Sequence, residues 1–467
     1  MVDVQSLIHR LDALDTRIRE LESQLQTQGE FLERLPAVPI GNQNVTPRFA
    51  SLATAAAEPE AEAPAWVDVS SEKWKMKFGG EIQGDYVMYA HQDAANRAEY
   101  GNIPNYYEFR RLRFWVAGTG YGVYDFKFQL DFEPENTFTV RNAAGTGTTT
   151  IAAAGVGMRD MYIGIHEIPV LGYVRFGQYY EPFGLEQNTS DKYVTFMERS
   201  LPVIFARDRQ VGITAYNQSE SESLIWAAGA FLPAIDATEK QRVADDQGVD
   251  VVLRSVWTPW YESDGRYLLH LGGGYVFTKV TDQTARFRSR PEVHESTTFL
   301  DTGSFGADTI HRGNVEAALV RGPLSLQSEF YVVHTNGIGG TPDMDFYGAY
   351  AFVSYFLTGE HRGYRRSQGV FHRVTPYTNF FVVNTPRGCQ AGWGAWEAIA
   401  RWSFLDLDEP GLTSDTRGQL HDLTLGLTWY WTPHAKMMFN WIHAFNDIAS
   451  VGRNEADIIG TRIQLEF

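Results

Sequence analysis

Arg111 and Arg113 stand two residues apart in Phe109-Arg-Arg-Leu-Arg-Phe-Trp-Val116. In an extended chain, residues at that spacing share one face, and Leu112, Phe114 and Val116 take the other. A guanidinium stays charged at any physiological pH and offers a planar fork of N–H donors that fits an oxyanion. Arginines stacked along a wall can therefore replace the hydration shell of a small anion such as phosphate. The same alternation turns Lys127, Arg175, Arg254, Arg401 and Arg462 toward the polar face. The competing expectation is that these cations pair with carboxylates such as Asp131, Glu329 and Glu397 and brace the wall instead of binding solutes.

Other chemistries find little support. The formal net charge of −17 argues against nucleic acid as a partner. Cys389 is the single cysteine, so no intrachain disulfide can form. There is no CxxC, HExxH, P-loop or nucleophile elbow, and His91, His294 and His334 lack metal-ligand spacing. Neither a catalytic site, a metal site nor a cofactor is expected.

The elements that must hold the arginines alternate with a period of two. In Phe126-Lys-Phe-Gln-Leu-Asp-Phe132 the even positions are apolar and Lys127, Gln129 and Asp131 oppose them. Leu423–Trp431, Trp396–Phe404 and Ile459–Phe467 repeat the pattern. No run approaches the ~20 apolar residues of a membrane helix, so a membrane could be crossed only by a closed barrel. A soluble sandwich also alternates. Two features favour the barrel: aromatic pairs such as Trp429 with Trp431 and Trp257 with Trp260 mark strand ends, and short connections alternate with long polar ones. The expected fold is all-β, an antiparallel transmembrane β-barrel of about sixteen strands over residues 73–467. One connection, His361 to Gln390, is long on the short-turn side and carries Arg362, Arg365, Arg366 and Arg373 with His361 and His372. It is expected either to draw anions through the exit, or to meet a periplasmic binding protein, or simply to pack beneath the barrel.

Residues 1–36 follow a different rule. Val4, Leu11, Ile18, Leu25 and Leu32 alternate with Leu7, Leu14, Leu21, Gln28 and Leu35 at heptad spacing, which predicts an N-terminal α-helical coiled coil. Pro36 and Pro39 end it, and the Ala-, Glu- and Pro-rich stretch up to residue 72 reads as a linker. Such a coil could assemble subunits or tether the outer membrane to peptidoglycan, in which case the barrel would be a general-diffusion pore. The charged residues after Met1 show no apolar leader, which a barrel exported to the outer membrane requires; a processed chain or a displaced start is expected.

Several segments are specific enough to carry a resemblance. Gly177-Gln-Tyr-Tyr-Glu-Pro-Phe-Gly-Leu-Glu186 with Thr189–Pro202, Ser354–Glu360 followed by Tyr364-Arg-Arg366, and Gly394-Ala-Trp-Glu397 with Ala400–Leu407 resemble the phosphate-selective porin O and P family, over about residues 73–467. The resemblance implies a homotrimeric outer-membrane channel, surrounded by lipid and admitting small anions by passive diffusion. It also implies a loop folded into the lumen, here about Pro182 to Gln210. That loop contributes Lys192, Arg199, Arg207 and Arg209 as candidate anion contacts, among Glu181, Glu186, Asp191, Glu198 and Asp208. The terminal Phe467 resembles the signal read by the outer-membrane insertion machinery.

Overall fold

A computed structural model describes residues 74–133, 137–141, 148–152, 156–232, 248–281, 283–385 and 388–467. The expected coil at 1–36 and linker at 37–72 lie outside the described residues. Sixteen antiparallel strands close on themselves. In chain order they are β1 (Trp74–Gln92), β2 (Tyr106–Gly120), β3 (Tyr124–Asp131), β4 (Gly157–Ile168), β5 (Gly172–Tyr180), β6 (Arg209–Gln218), β7 (Leu224–Leu232) and β8 (Val249–Glu262). They continue as β9 (Tyr267–Lys279), β10 (Phe305–Arg321), β11 (Leu324–Gly337), β12 (Met344–Phe356), β13 (Ala395–Asp406), β14 (Gly418–Thr432), β15 (Ala435–Ile448) and β16 (Gly452–Glu466). Each pairs with its neighbour in sequence, and β16 returns to β1 from Glu81↔Glu466 to Gln92↔Ala456. Phe467 completes the seam by exchanging backbone hydrogen bonds with Gly80. Closure leaves no sheet edge, so every strand's backbone is satisfied in lipid.

Burial decides between barrel and sandwich. In β11, Leu326 and Phe330 are exposed while Gln327 and Glu329 are buried. In β16, Ile463 and Leu465 are exposed while Arg462, Gln464 and Glu466 are buried. The apolar face looks outward and the polar face inward, the reverse of a soluble sandwich and the arrangement lipid demands.

Both ends matter for the lumen. At one end the turns are short, such as 121–123, 169–171, 322–323 and 433–434. From the other end, loop 181–208 folds into the barrel, carrying a short helix Leu185–Asn188 and a 3-10 turn Leu201–Phe205. Loop 280–304 also turns inward, burying Glu292 and Val293. Gly348 on β12 makes room for the first of these: a Cβ there would lie 2.6 Å from Pro202 Cβ. The long connection 357–394 is the exception on the turn side. Its hairpin Gly363–Arg365 with Val370–His372 enters the barrel and buries Tyr364 and Phe371 against Leu185, Leu268, Ala318 and Val320. It is thus no free basic loop beneath the barrel; Tyr364 and Phe371 supply an apolar face that draws it inside.

Candidate anion site in the lumen

The site is assembled by bracing loop 181–208 against one side of the wall. The Glu329 carboxylate on β11 accepts from the backbone N–H groups of Leu185 (2.7 Å) and Glu186 (2.8 Å). Tyr350 (2.6 Å), Tyr331 (3.0 Å) and Asn314 (3.2 Å) donate to the same carboxylate. Arg462 grips Asp85 with both arms (2.7 and 2.6 Å) and donates to Glu198 of the loop at 2.6 Å. Arg401 bridges Glu292 and Glu186 and donates to the Glu198 carbonyl at 3.0 Å. Arg254 holds Glu316 in a bidentate pair and reaches the Gly369 carbonyl of the inserted hairpin at 3.1 Å. Arg254, Arg401 and Arg462 therefore act as brackets whose charge is already met by carboxylates. Glu397 instead accepts from the Tyr430 hydroxyl at 2.7 Å.

Above the loop lies a cavity of about 510 Å³ lined by eight arginines: 110, 111, 113, 159, 199, 209, 288 and 290. Three carboxylates line it with them, Glu198, Asp208 and Glu292. Asp131, Asp160 and Asp191 stand behind as partners. Arg111 meets Asp191 at 2.8 Å and Gln83 at 2.6 Å. Arg113 joins Asp131 (2.6 Å) to Asp191, and Arg110 meets Glu198 at 2.9 Å. Arg209 meets Asp160 at 2.6 Å and lies over the Tyr180 ring. Burial alone would raise the Asp191 carboxyl, but Arg113 and Arg111 outweigh it and hold that group well below the usual carboxylate range. Glu198 is held down in the same way by Arg110 and Arg462 against its burial. Arg199 differs: it caps the carbonyls of Glu186, Gln187 and Thr189. Among the described residues, Arg199, Arg288 and Arg290 have no carboxylate oxygen within 4 Å, so they are the least compensated cations of the cavity.

Two irregularities in the sheet enlarge this set. Between β1 and β2 the register slips, with Gln83↔Arg111 followed by Gly84↔Phe109, leaving Arg110 as an extra residue. Between β3 and β4, Phe128↔Met161 is followed by Leu130↔Met158, so Arg159 and Asp160 together oppose Gln129. Each is a β-bulge, which re-aims a side chain where strict alternation would send it outward. Arg110 and Arg159 enter the lumen for that reason, and the period-two reading missed both. The signal was nonetheless in the sequence. Apolar residues change phase across each bulge, from Tyr107 and Phe109 to Leu112 and Phe114, and from Met158 to Ile163 and Ile165. Arg288 and Arg290 lie on loop 280–304, where no periodicity could have found them.

The remaining candidates spread along the lumen. Lys127 reaches Asp160 at 2.5 Å. Lys192 sits at a small cavity on the turn side of the loop with Tyr193, His372 and Arg373, and meets Glu466 at 3.1 Å. Arg207 is turned to Asp250 at 3.3 Å. Arg175 lies among the rings of Tyr162, Tyr173, Tyr179 and Tyr216, with its carbon 4.1–5.4 Å from their centres. On the inserted hairpin, Arg362 is buried over Phe371 and donates to Gln327 at 3.0 Å. Arg373 pairs with Glu466 at 2.9 Å, Arg366 lies over Tyr261, and Arg365 is exposed beside His372. The larger cavity is polar and arginine-rich, and lies between two inturned segments.

Comparison with known proteins gives a consistent picture. A family model described as phosphate-selective porin O and P matches residues 76–467. Porin O of Pseudomonas aeruginosa is 24% identical over 438 residues, covering 86% of this chain and 90% of that protein. Among solved structures, the outer membrane channel DcaP of Acinetobacter baumannii superposes with a TM-score of 0.51 at 10% identity, over 85% of this chain and 99% of that one. OmpT, an outer membrane protein of Vibrio cholerae, does so at 0.50 and 10%, over 85% and 99%. The structural likenesses speak for the fold.

Proposed function

The chain belongs to the phosphate-selective porin O and P family of outer-membrane porins, and is a channel and not an enzyme; from that premise we propose that it forms a trimeric, water-filled pore that passes small anions by passive diffusion and prefers phosphate. The observation that carries the reading is the 510 Å³ cavity lined by eight arginines and only three carboxylates. An anion leaving bulk water there exchanges hydration for guanidinium donors held in place by loop 181–208. The cavity stays selective because its arginines are fixed in two ways. Those paired with Asp131, Asp160 and Asp191 are positioned but largely neutralised, while Arg199, Arg288 and Arg290 supply net attraction.

The decisive measurement is single-channel conductance of the purified protein in chloride, titrated with phosphate. Block of chloride current at micromolar to millimolar phosphate is expected, with reversal potentials favouring anions. Chloride conductance indifferent to phosphate would reduce the pore to a general one. Residues 1–36, read as a coiled coil, would on this account support assembly on the periplasmic side. Removing residues 1–64 is then expected to lower the yield of trimer on native gels while assembled pores conduct normally. Loss of conductance in the trimers that do form would refute that role.

A further inference from the structure

We propose that Glu108, His294 and Glu295 form a binding site for a divalent transition-metal ion, which pins the inturned loop 280–304 to strand β2 at the edge of the arginine cavity. His294 and Glu108 are 186 residues apart in the chain, yet His294 Nδ1 lies 2.7 Å from Glu108 Oε2. Glu295 Oε1 is 3.7 Å from the same nitrogen. One ligand atom from each of the three residues falls within 4.8 Å of the others, close enough to converge on a single ion.

A second observation separates this cluster from acidic groups that merely meet at a surface. The Glu108 side chain is only 10% exposed, and its Oε1 is buried without any hydrogen-bond partner. A carboxylate oxygen taken out of water and left unpaired is costly, and a cation offers it the missing partner. The loop is also set up on its backbone side. The Glu295 N–H donates to Tyr106 Oη at 3.1 Å, and Arg290 donates to the His294 carbonyl. The first contact ties residue 295 to β2 and the second braces residue 294 within the loop, neither using the side chains of 294 and 295. Glu295, at 58% exposure, leaves an approach from solvent.

The donor set selects the ion. One imidazole nitrogen and two carboxylates suit zinc and its neighbours; calcium and magnesium prefer oxygen ligands alone. Two carboxylates balance a divalent charge, which matters beside the arginines of the cavity. Three protein ligands also leave a coordination position open, as in zinc sites that bind a further ligand. His294 itself lines the arginine cavity. The bound ion would therefore cancel the two carboxylates at the mouth of the anion path and fasten the loop that carries Arg288 and Arg290. The site does not depend on which anion the pore prefers.

The test is zinc binding to the full-length, detergent-solubilised protein, freed of metal with a chelator and titrated with zinc chloride alone by calorimetry. One zinc per chain is expected. His294→Gln and Glu295→Gln should each weaken binding by at least the order of tenfold that even indirect perturbations of a metal site cost. Glu295→Gln alters an exposed side chain and leaves folding intact, so it decides the question even if His294→Gln misassembles. Absence of saturable zinc binding up to millimolar concentration would overturn the proposal. Binding whose stoichiometry and affinity are untouched by Glu295→Gln would overturn it equally.

Discussion

Glu329→Ala is expected to raise single-channel conductance several-fold and to lower anion selectivity while leaving the barrel assembled. Glu329 is the point at which loop 181–208 is tied to the wall, since two backbone N–H groups of the loop and two tyrosine hydroxyls converge on its carboxylate. Alanine would leave those donors without a partner, and each buried donor so stranded costs about 1–3 kcal/mol. The sheet does not share that loss, because the hydrogen bonds pairing β11 with β10 and β12 are untouched. The cheapest relief is for the loop to lift from the wall and for water to enter. Arg401 to Glu186 and Arg462 to Glu198 still hold it, so widening and not full release is the expected state. Glu329→Gln keeps one carbonyl oxygen and should fall between. Planar-bilayer recordings, with thermal unfolding on gels to check assembly, read the result. A fully assembled Glu329→Ala channel with the parent's conductance would show that the loop is positioned by other contacts.

Replacing Arg199, Arg288 and Arg290 together with alanine should have the largest effect on selectivity. The cavity sets eight arginines against six carboxylates, counting Asp131, Asp160 and Asp191 behind its wall, so its attraction for anions rests on a small excess. These three are the cavity's arginines with no carboxylate oxygen within 4 Å among the described residues. One unit charge at 4 Å is worth about 1 kcal/mol in bulk-water dielectric, or roughly fivefold in ion partition, and more where water is excluded. Removing three is expected to lower the anion-to-cation permeability ratio by on the order of tenfold or more and to relieve phosphate block, measured from reversal potentials in a salt gradient. Arg111→Ala with Arg113→Ala is the complementary substitution. It removes both ion-pair partners of Asp191 and leaves Asp131 with Arg159 alone, so it should cost stability in addition to selectivity. If the triple variant keeps the parent's permeability ratio, the excess charge of this cavity does not set selectivity.

Much of this architecture was legible in one dimension because side chains alternate across a strand by covalent geometry alone. That alternation places Arg111, Arg113, Lys127, Arg175, Arg254, Arg401 and Arg462 on the polar face, and its phase changes at Phe109–Leu112 and Met158–Ile163 mark the bulges that admit Arg110 and Arg159. The short-turn rule also exposed His361 to Gln390, within the observed connection 357–394, as the stretch that breaks it. What alternation cannot state is whether a given cation is spent. Arg462 and Arg199 look alike in the sequence. One is closed by Asp85, 377 residues away, and the other caps carbonyls and keeps its charge. The same limit applies to Glu329 receiving Leu185 and to His294 meeting Glu108. A residue's direction is decided by its own backbone, whereas its net charge and its ligands are decided by whatever chain closure and the inturned loops bring opposite it. Tertiary structure alone therefore separates the arginines that brace this barrel from those left to attract an anion.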